Sequence, residues 1–96
     1  MPGKEPTAEG ATAPITFSSF VVGLTTQALV FLGVVPAPEG SGLKKDAAQA
    51  AAIIAVLEML AQKTKGNLEQ QEAKLVEEAL FELRTRYVEE TRRERA

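Results

Sequence analysis

The chain has 96 residues, enough for one small domain, and its 45% hydrophobic and 25% charged content excludes wholesale disorder. A formal net charge of −2 and a pI near 5.2 argue against nucleic acid as a partner, because nucleic-acid-binding domains are usually basic. The absence of cysteine and histidine removes disulfides, thiolate metal sites and the commonest general base.

The N-terminal segment, residues 1–15, combines three prolines and two glycines with very little apolar surface. Such a segment cannot bury enough surface to fold, so we predict a disordered tail. The helical domain is predicted over residues 16–92, and residues 93–96 are predicted to form a short basic C-terminal tail.

The first predicted helix covers about residues 17–33, with Thr16 as its N-cap. It lies in FSSFVVGLTTQALVFLGVV, residues 17–35, a stretch without any charge. A membrane span, a signal peptide and a buried helix of a soluble protein are the three alternatives. A signal peptide is disfavoured because the leader is not positively charged and Pro38 follows the only plausible cleavage site.

Helical periodicity separates the membrane-spanning and buried alternatives for this stretch. At about 100° per residue, one arc of about 120° collects most of the large side chains, whereas a lipid-facing helix needs no such segregation. The arc contains Phe17, Phe20, Val21, Leu24, Ala28, Phe31 and Leu32. The pattern favours a buried helix, and a helix 17–35 inserted in a membrane is kept as the alternative.

Two further helices are predicted, over about residues 46–65 and 68–93. The second helix starts at Asp46, which forms a D-x-x-Q capping box pattern with Gln49, and it is rich in alanine, the best helix former. Gly66 is suited to end it and Asn67 to cap the third helix. The predicted fold is therefore all-α, a three-helix arrangement in which one apolar helix packs on an αα-hairpin.

Several apolar residues lie outside the arcs that three helices can bury against one another. They are Val22, Leu29 and Val30 in the first helix, Ala48, Ala52, Ala55 and Met59 in the second, and Phe81 and Val88 in the third. Five large side chains left half exposed forgo about 5 kcal/mol of burial, comparable to the whole stability of a small domain. We therefore expect a homo-oligomer, most simply a dimer, and a further protein partner can use the same surface.

The turn KTKGN, residues 63–67, is the first of two charged candidates. The turn is either a binding site for an anion or acidic partner, or simply a C-cap followed by an N-cap. The residues concerned are Lys63, Lys65, Gly66 and Asn67. The capping alternative is favoured because turn chemistry alone accounts for each residue type.

The C-terminal arginines are the second charged candidate. Arg92, Arg93 and Arg95 suggest RNA or ribosome association, but interspersed glutamates favour a solvated, ion-paired helix face. No catalytic residue, cofactor or metal site is predicted, since no serine has a plausible base and no histidine accompanies the glutamates.

The order of motifs resembles the bacterial family called domain of unknown function 1844. The motifs are F-x-x-F-V-x-x-L at 17–24, A-L-x-x-L-G at 28–33, L-E-M-L-x-x-K-T-K-G-N-L at 57–68 and L-R-x-R-Y-V at 83–88. The likeness covers about residues 16–88, and K-T-K-G-N-L is its most specific part. Departures are Ala55, where relatives tend to have an acidic residue, and Glu69, where they tend to have a Ser or Thr cap.

The resemblance implies a small soluble helical protein of bacteria and assigns no activity. Together with the residue patterns, it favours a non-catalytic structural or adaptor module that acts in the cytoplasm through protein–protein contacts. The alternatives are a membrane-associated protein that inserts helix 17–35 and an RNA-associated or ribosome-associated factor.

Overall fold

The structure, a computed structural model, describes residues 14–95. These residues form α1 (Phe17–Phe31), α2 (Ala47–Lys63) and α3 (Gln70–Arg95), and no strand occurs among them. The predicted all-α arrangement of three helices is confirmed. Most of the predicted disordered tail, residues 1–13, lies outside the described residues.

Both ends of α1 are closed by local hydrogen bonds. The Thr16 hydroxyl accepts from the Ser19 N–H at 3.0 Å, and the Ser19 hydroxyl accepts from the Thr16 N–H at 2.9 Å, which forms a capping box. At the other end Gly33 has φ +80°, and the Val34 N–H donates to the Leu29 carbonyl at 3.0 Å. This is a Schellman motif, and it ends α1 two residues before the predicted boundary.

The N-cap of α2 is the predicted Asp46, but the predicted bond from the Asp46 N–H to Gln49 is absent, because this N–H donates to the Phe31 carbonyl. The Asp46 carboxylate accepts from the Ala48 and Gln49 N–H groups at 3.1 and 3.2 Å, the first half of the predicted capping box. The helix ends at Lys63, and Gly66 takes the left-handed conformation with φ +87°. Alanine and leucine supply the helix propensity between these caps.

The predicted start of α3 was wrong. Asn67 does not cap this helix, because the residue directly before its first turn is Glu69, and the Asn67 N–H donates to the Thr64 carbonyl at 2.8 Å within the turn. The helix begins at Gln70, and the Glu72 carboxylate accepts from the Glu69 N–H at 2.8 Å. Glu69 therefore stands at the cap position, with Glu72 as the acidic partner of a capping box.

The C-terminal end of α3 also differs from the predicted one. The helix continues to Arg95, so the predicted separate tail over residues 93–96 is helical as far as Arg95. The high charge of α3 favours this length, since its glutamates and arginines are good helix formers.

The three helices contact one another in every pairing, and the start of α2 lies beside the C-terminal ends of both α1 and α3. The Asp46 N–H donates to the Phe31 carbonyl at 2.8 Å, which joins the start of α2 to the end of α1. Lys45 pairs with Glu90 and Glu94 at 3.3 Å each, which joins the start of α2 to the end of α3.

The core is small and lies between the three helices. Its main cluster consists of Val21, Ala28, Ile54, Leu57, Val76, Ala79, Leu80 and Leu83. A second cluster at the α1–α2 junction contains Phe31, Leu32 and Ala50. The molecule measures 54 × 38 × 16 Å, a slab so thin that each helix keeps one side uncovered.

A candidate interaction surface

The outer side of α2 is exposed and apolar. Ala48, Ala52 and Ala55 are all exposed, and Met59, one turn further along, is 46% exposed. Their spacing of four, three and four residues places them in one row along the side of the helix that faces away from the core. Here the structure agrees with the prediction from the sequence. We call this row, together with Val56, the α2 face.

The α2 face lacks the charges that normally cover an exposed helix. Val56, beside the row, is a further exposed large apolar residue. Glu58 is the only charged residue of α2 before Lys63 at its end. By contrast, half of the residues of α3 are charged. An exposed helix side of this composition is typical of a surface that another protein covers.

A groove between α2 and α3 continues the α2 face on one side. It has a volume of about 410 Å³ and is lined by Ala51, Ile54, Ala55, Glu58, Arg84, Tyr87 and Val88. Val88 is half exposed at its edge, as predicted from its position on the outer side of α3. Glu58 and Arg84 close the polar end of the groove with a 2.7 Å ion pair that the sequence analysis did not foresee.

The α1 side of the molecule departs from the prediction at three positions. Phe20, placed in the buried arc from the sequence, is 48% exposed, while Val30, predicted to be exposed, is only 7% exposed. Leu29, also predicted to be exposed, is half buried against the main core. Val22 is half exposed, as predicted.

The position of α3 explains most of these differences. It packs against the flank of α1 that carries Thr25 and Leu29, so the buried arc is rotated away from Phe20. Val30 lies in the last turn of α1, over which the chain folds back through the Schellman motif at Gly33. Neither effect is visible in the periodicity of α1 alone.

Phe20 and its neighbours form a second apolar groove, of about 390 Å³, along the N-terminal half of α1. Its lining residues are Ile15, Ser19, Phe20, Gly23, Leu24 and Gln27. Ile15 and Phe20 are functional candidates that sequence reasoning missed, as is Val56 on α2. The sequence does show that residues 15–35 contain no charge. This feature indicates that α1 is apolar as a whole, but it does not indicate which side of α1 is exposed.

Phe81 is the most exposed large apolar side chain of α3. It is 73% exposed, as its position on the outer side of the helix predicted. It lies seven residues before Val88, among charged side chains that include Glu82, Arg86 and Glu89. Phe81 is not among the residues that line the groove beside the α2 face.

The turn containing Lys63, Lys65, Gly66 and Asn67 is built by main-chain hydrogen bonds. The Lys65 N–H donates to the Gln62 carbonyl at 3.3 Å, alongside the Asn67–Thr64 bond. An anion at the start of α3 would meet the Glu72 carboxylate, which already accepts from the Glu69 N–H there. Anion binding at this turn stays a prediction, and its geometry gives it little support.

Several charged side chains of α3 form ion pairs within the chain, although no such pair involves Arg92, Arg93 or Arg95 among the described residues. Arg84 pairs with Glu58, and Arg86 pairs with Glu82 at 3.3 Å, four residues away on the same helix. Lys45 donates to Glu90, and this hydrogen bond, followed by that to Glu94, raises the pKa of Lys45 above its usual value. Such exposed pairs orient helices and contribute little chemistry.

Within the described part of the chain, no three acidic side chains are grouped so that they could hold a metal ion. None of the described helices has both the length and the apolar content required to cross a bilayer.

The family described as "Domain of unknown function (DUF1844)" matches residues 14–89, which include α1, α2 and most of α3. No curated protein and no solved structure is significantly similar to the chain.

Proposed function

The chain belongs to the DUF1844 family, and from that premise we propose that it is a non-catalytic structural or adaptor module that acts through protein–protein contacts. The observation that carries the proposal is the α2 face, an exposed side of a central helix with no charged residue in its row. Protein partners cover such surfaces, because burying apolar area stabilises an assembly.

The first partner in this proposal is a second copy of the chain. Completing the burial of a half-exposed side chain such as Met59, Val56 or Val88 contributes about 1 kcal/mol. A two-fold interface uses each of these residues twice, so small individual gains add up. The thin slab has no other element in residues 14–95 with which to cover this face.

The remaining apolar residues provide for contact with a different protein. Neither Phe81 nor Phe20 lines the groove beside the α2 face, so the proposal assigns them to contact with the different protein. An adaptor needs both kinds of surface, one for itself and one for its partner. The proposed compartment is the cytoplasm, since the chain contains no cysteine and 25% charged residues.

Ala52→Glu tests this proposal directly. The substitution places a charge in the middle of the α2 face, and burying it unpaired costs about 3 kcal/mol or more, which weakens association at least about 100-fold. We expect light scattering after size-exclusion chromatography to give a dimer mass for the wild type and a monomer mass for Ala52→Glu.

Ala73→Glu is the matched control, since Ala73 is an exposed alanine of α3 outside the α2 face. It is expected to keep the wild-type mass. A dimer that withstands Ala52→Glu, or a wild type that is monomeric at high micromolar concentration, would contradict the proposal.

A further inference from the structure

We propose that two copies of the chain pair through antiparallel α2 helices, with a two-fold axis between Ala52 and Ala55. This inference rests on the proposed function and specifies how the second copy is bound. Three features of α2 support it: the spacing of its exposed residues, the sizes of their side chains, and the direction of its helix dipole.

The spacing of the α2 face is that of a helix–helix seam. Ala48, Ala52, Ala55, Met59 and Gln62 follow one another at intervals of four, three, four and three residues, and all are exposed. This alternation keeps one stripe of a helix facing a partner helix over several turns. Alanine at the centre lets the two helix axes approach closely.

The side-chain sizes fit an antiparallel pair and not a parallel one. About a two-fold axis between Ala52 and Ala55, Met59 of each copy lies opposite the partner's Ala48, so a large side chain meets a small one. In a parallel pair Met59 would face Met59 at one end, and Ala48 would face Ala48 across a gap at the other. Interdigitating large and small side chains allow the closer packing.

The helix dipoles favour the same orientation. An antiparallel pair opposes the dipoles of the two α2 helices, whereas a parallel pair aligns them. The end charges add no preference, because this register places Lys63 of one copy opposite Lys44 of the other.

Disulfide trapping with two single-cysteine variants, Ala48→Cys and Met59→Cys, distinguishes the orientations, because the natural chain has no cysteine. In the antiparallel pair the two copies of either position are about 16 Å apart along the helix, too far for a disulfide. Each variant alone therefore stays uncrosslinked on thiol oxidation. An equilibrated equal mixture should crosslink up to about half of its dimers, the share of mixed dimers expected from a two-fold assembly.

A distance measurement by electron paramagnetic resonance gives a second readout at the rim of the seam. A spin label on Lys63→Cys should report about 30 Å between copies of an antiparallel pair, against less than about 15 Å in a parallel pair. This readout leaves the alanine row unchanged, so it remains valid if a cysteine at position 48 or 59 weakens the dimer.

The outcomes separate this inference from the proposed function. A dimer mass with crosslinking within a single variant, or a short spin-label distance, overturns the antiparallel geometry while the dimer stands. A dimer mass with no crosslink in the mixture and no spin-label distance near 30 Å overturns the α2 seam. A monomer mass for the wild type overturns both proposals together.

Discussion

Two glycines of the chain show how the same residue type serves opposite purposes. Gly33 ends α1 with φ +80°, and a Cβ added there would lie 3.2 Å from the Lys45 Cδ. Gly23 lies inside α1, and a Cβ added there would meet no atom within 4 Å. One position therefore requires glycine, whereas the other carries it at a cost in helix stability.

Alanine substitutions at these two glycines should shift stability in opposite directions. We expect Gly33→Ala to lower the free energy of unfolding by about 1 kcal/mol or more, because alanine is strained at positive φ. Gly23→Ala should raise it by about 0.5–1 kcal/mol through helix propensity. Urea denaturation monitored by circular dichroism measures both, and equal effects of the two substitutions would contradict this assignment.

Lys45 gives the helical part of the chain, residues 14–95, a response to high pH. Its hydrogen bonds to Glu90 and then Glu94 raise its pKa in the folded chain above 10.5. A raised pKa means that the stabilisation is present at neutral pH and is lost as the pH rises above 10.5 through the folded value. We expect Lys45→Gln to lower the melting temperature at neutral pH, and added salt should narrow the difference from the wild type. A difference that salt leaves unchanged would argue against an ionic origin.

Prediction from the sequence failed most often for the burial and pairing of single residues. Periodicity alone placed Phe20 inside and Val30 outside, and both assignments were wrong. The buried arc of α1 depends on which flank α3 covers, and that is a property of the packed helices. Glu58 and Arg84 likewise pair across two helices, 26 residues apart, which no local pattern indicates.

At the level of helices, prediction was more successful. The three helices, the caps at Thr16 and Asp46 and the left-handed Gly66 all follow from local residue preferences. The start of α3 was misplaced by two residues, because Asn67 is the better capping residue type but the turn continues to Glu69 and the helix begins at Gln70. Capping propensity ranks the candidates, but the geometry of the turn decides between them.

Two nearby residues of α3 lie on opposite sides of the helix, one in the core and one on the surface. Leu83 is fully buried in the main cluster, and Phe81 points away from it. We expect Leu83→Ala to cost about 2–5 kcal/mol of folding stability, which is large for a domain of this size. The control, Phe81→Ala, should change it by less than about 0.5 kcal/mol. Thermal denaturation of the two variants measures the contrast, and similar losses would mean that the assigned direction of α3 is wrong.

The whole molecule is best described as an uncharged half joined to a charged half. α1 and α2 carry two charged residues between them, Glu58 and Lys63, whereas α3 carries charges on every side except the core. A slab of this kind leaves the α2 face exposed. The candidate partners that would cover it are a second copy of the chain and a different protein. The sequence predicted this excess of exposed apolar surface, although Leu29 proved to be partly buried and Val30 buried.

Sedimentation equilibrium of the wild-type chain over a dilution series measures whether the chain associates with itself. We expect a mass of twice 10.3 kDa at high micromolar concentration, falling toward 10.3 kDa on dilution. A mass of 10.3 kDa at every concentration would mean that the α2 face remains in contact with water, and the case for self-association through it would end.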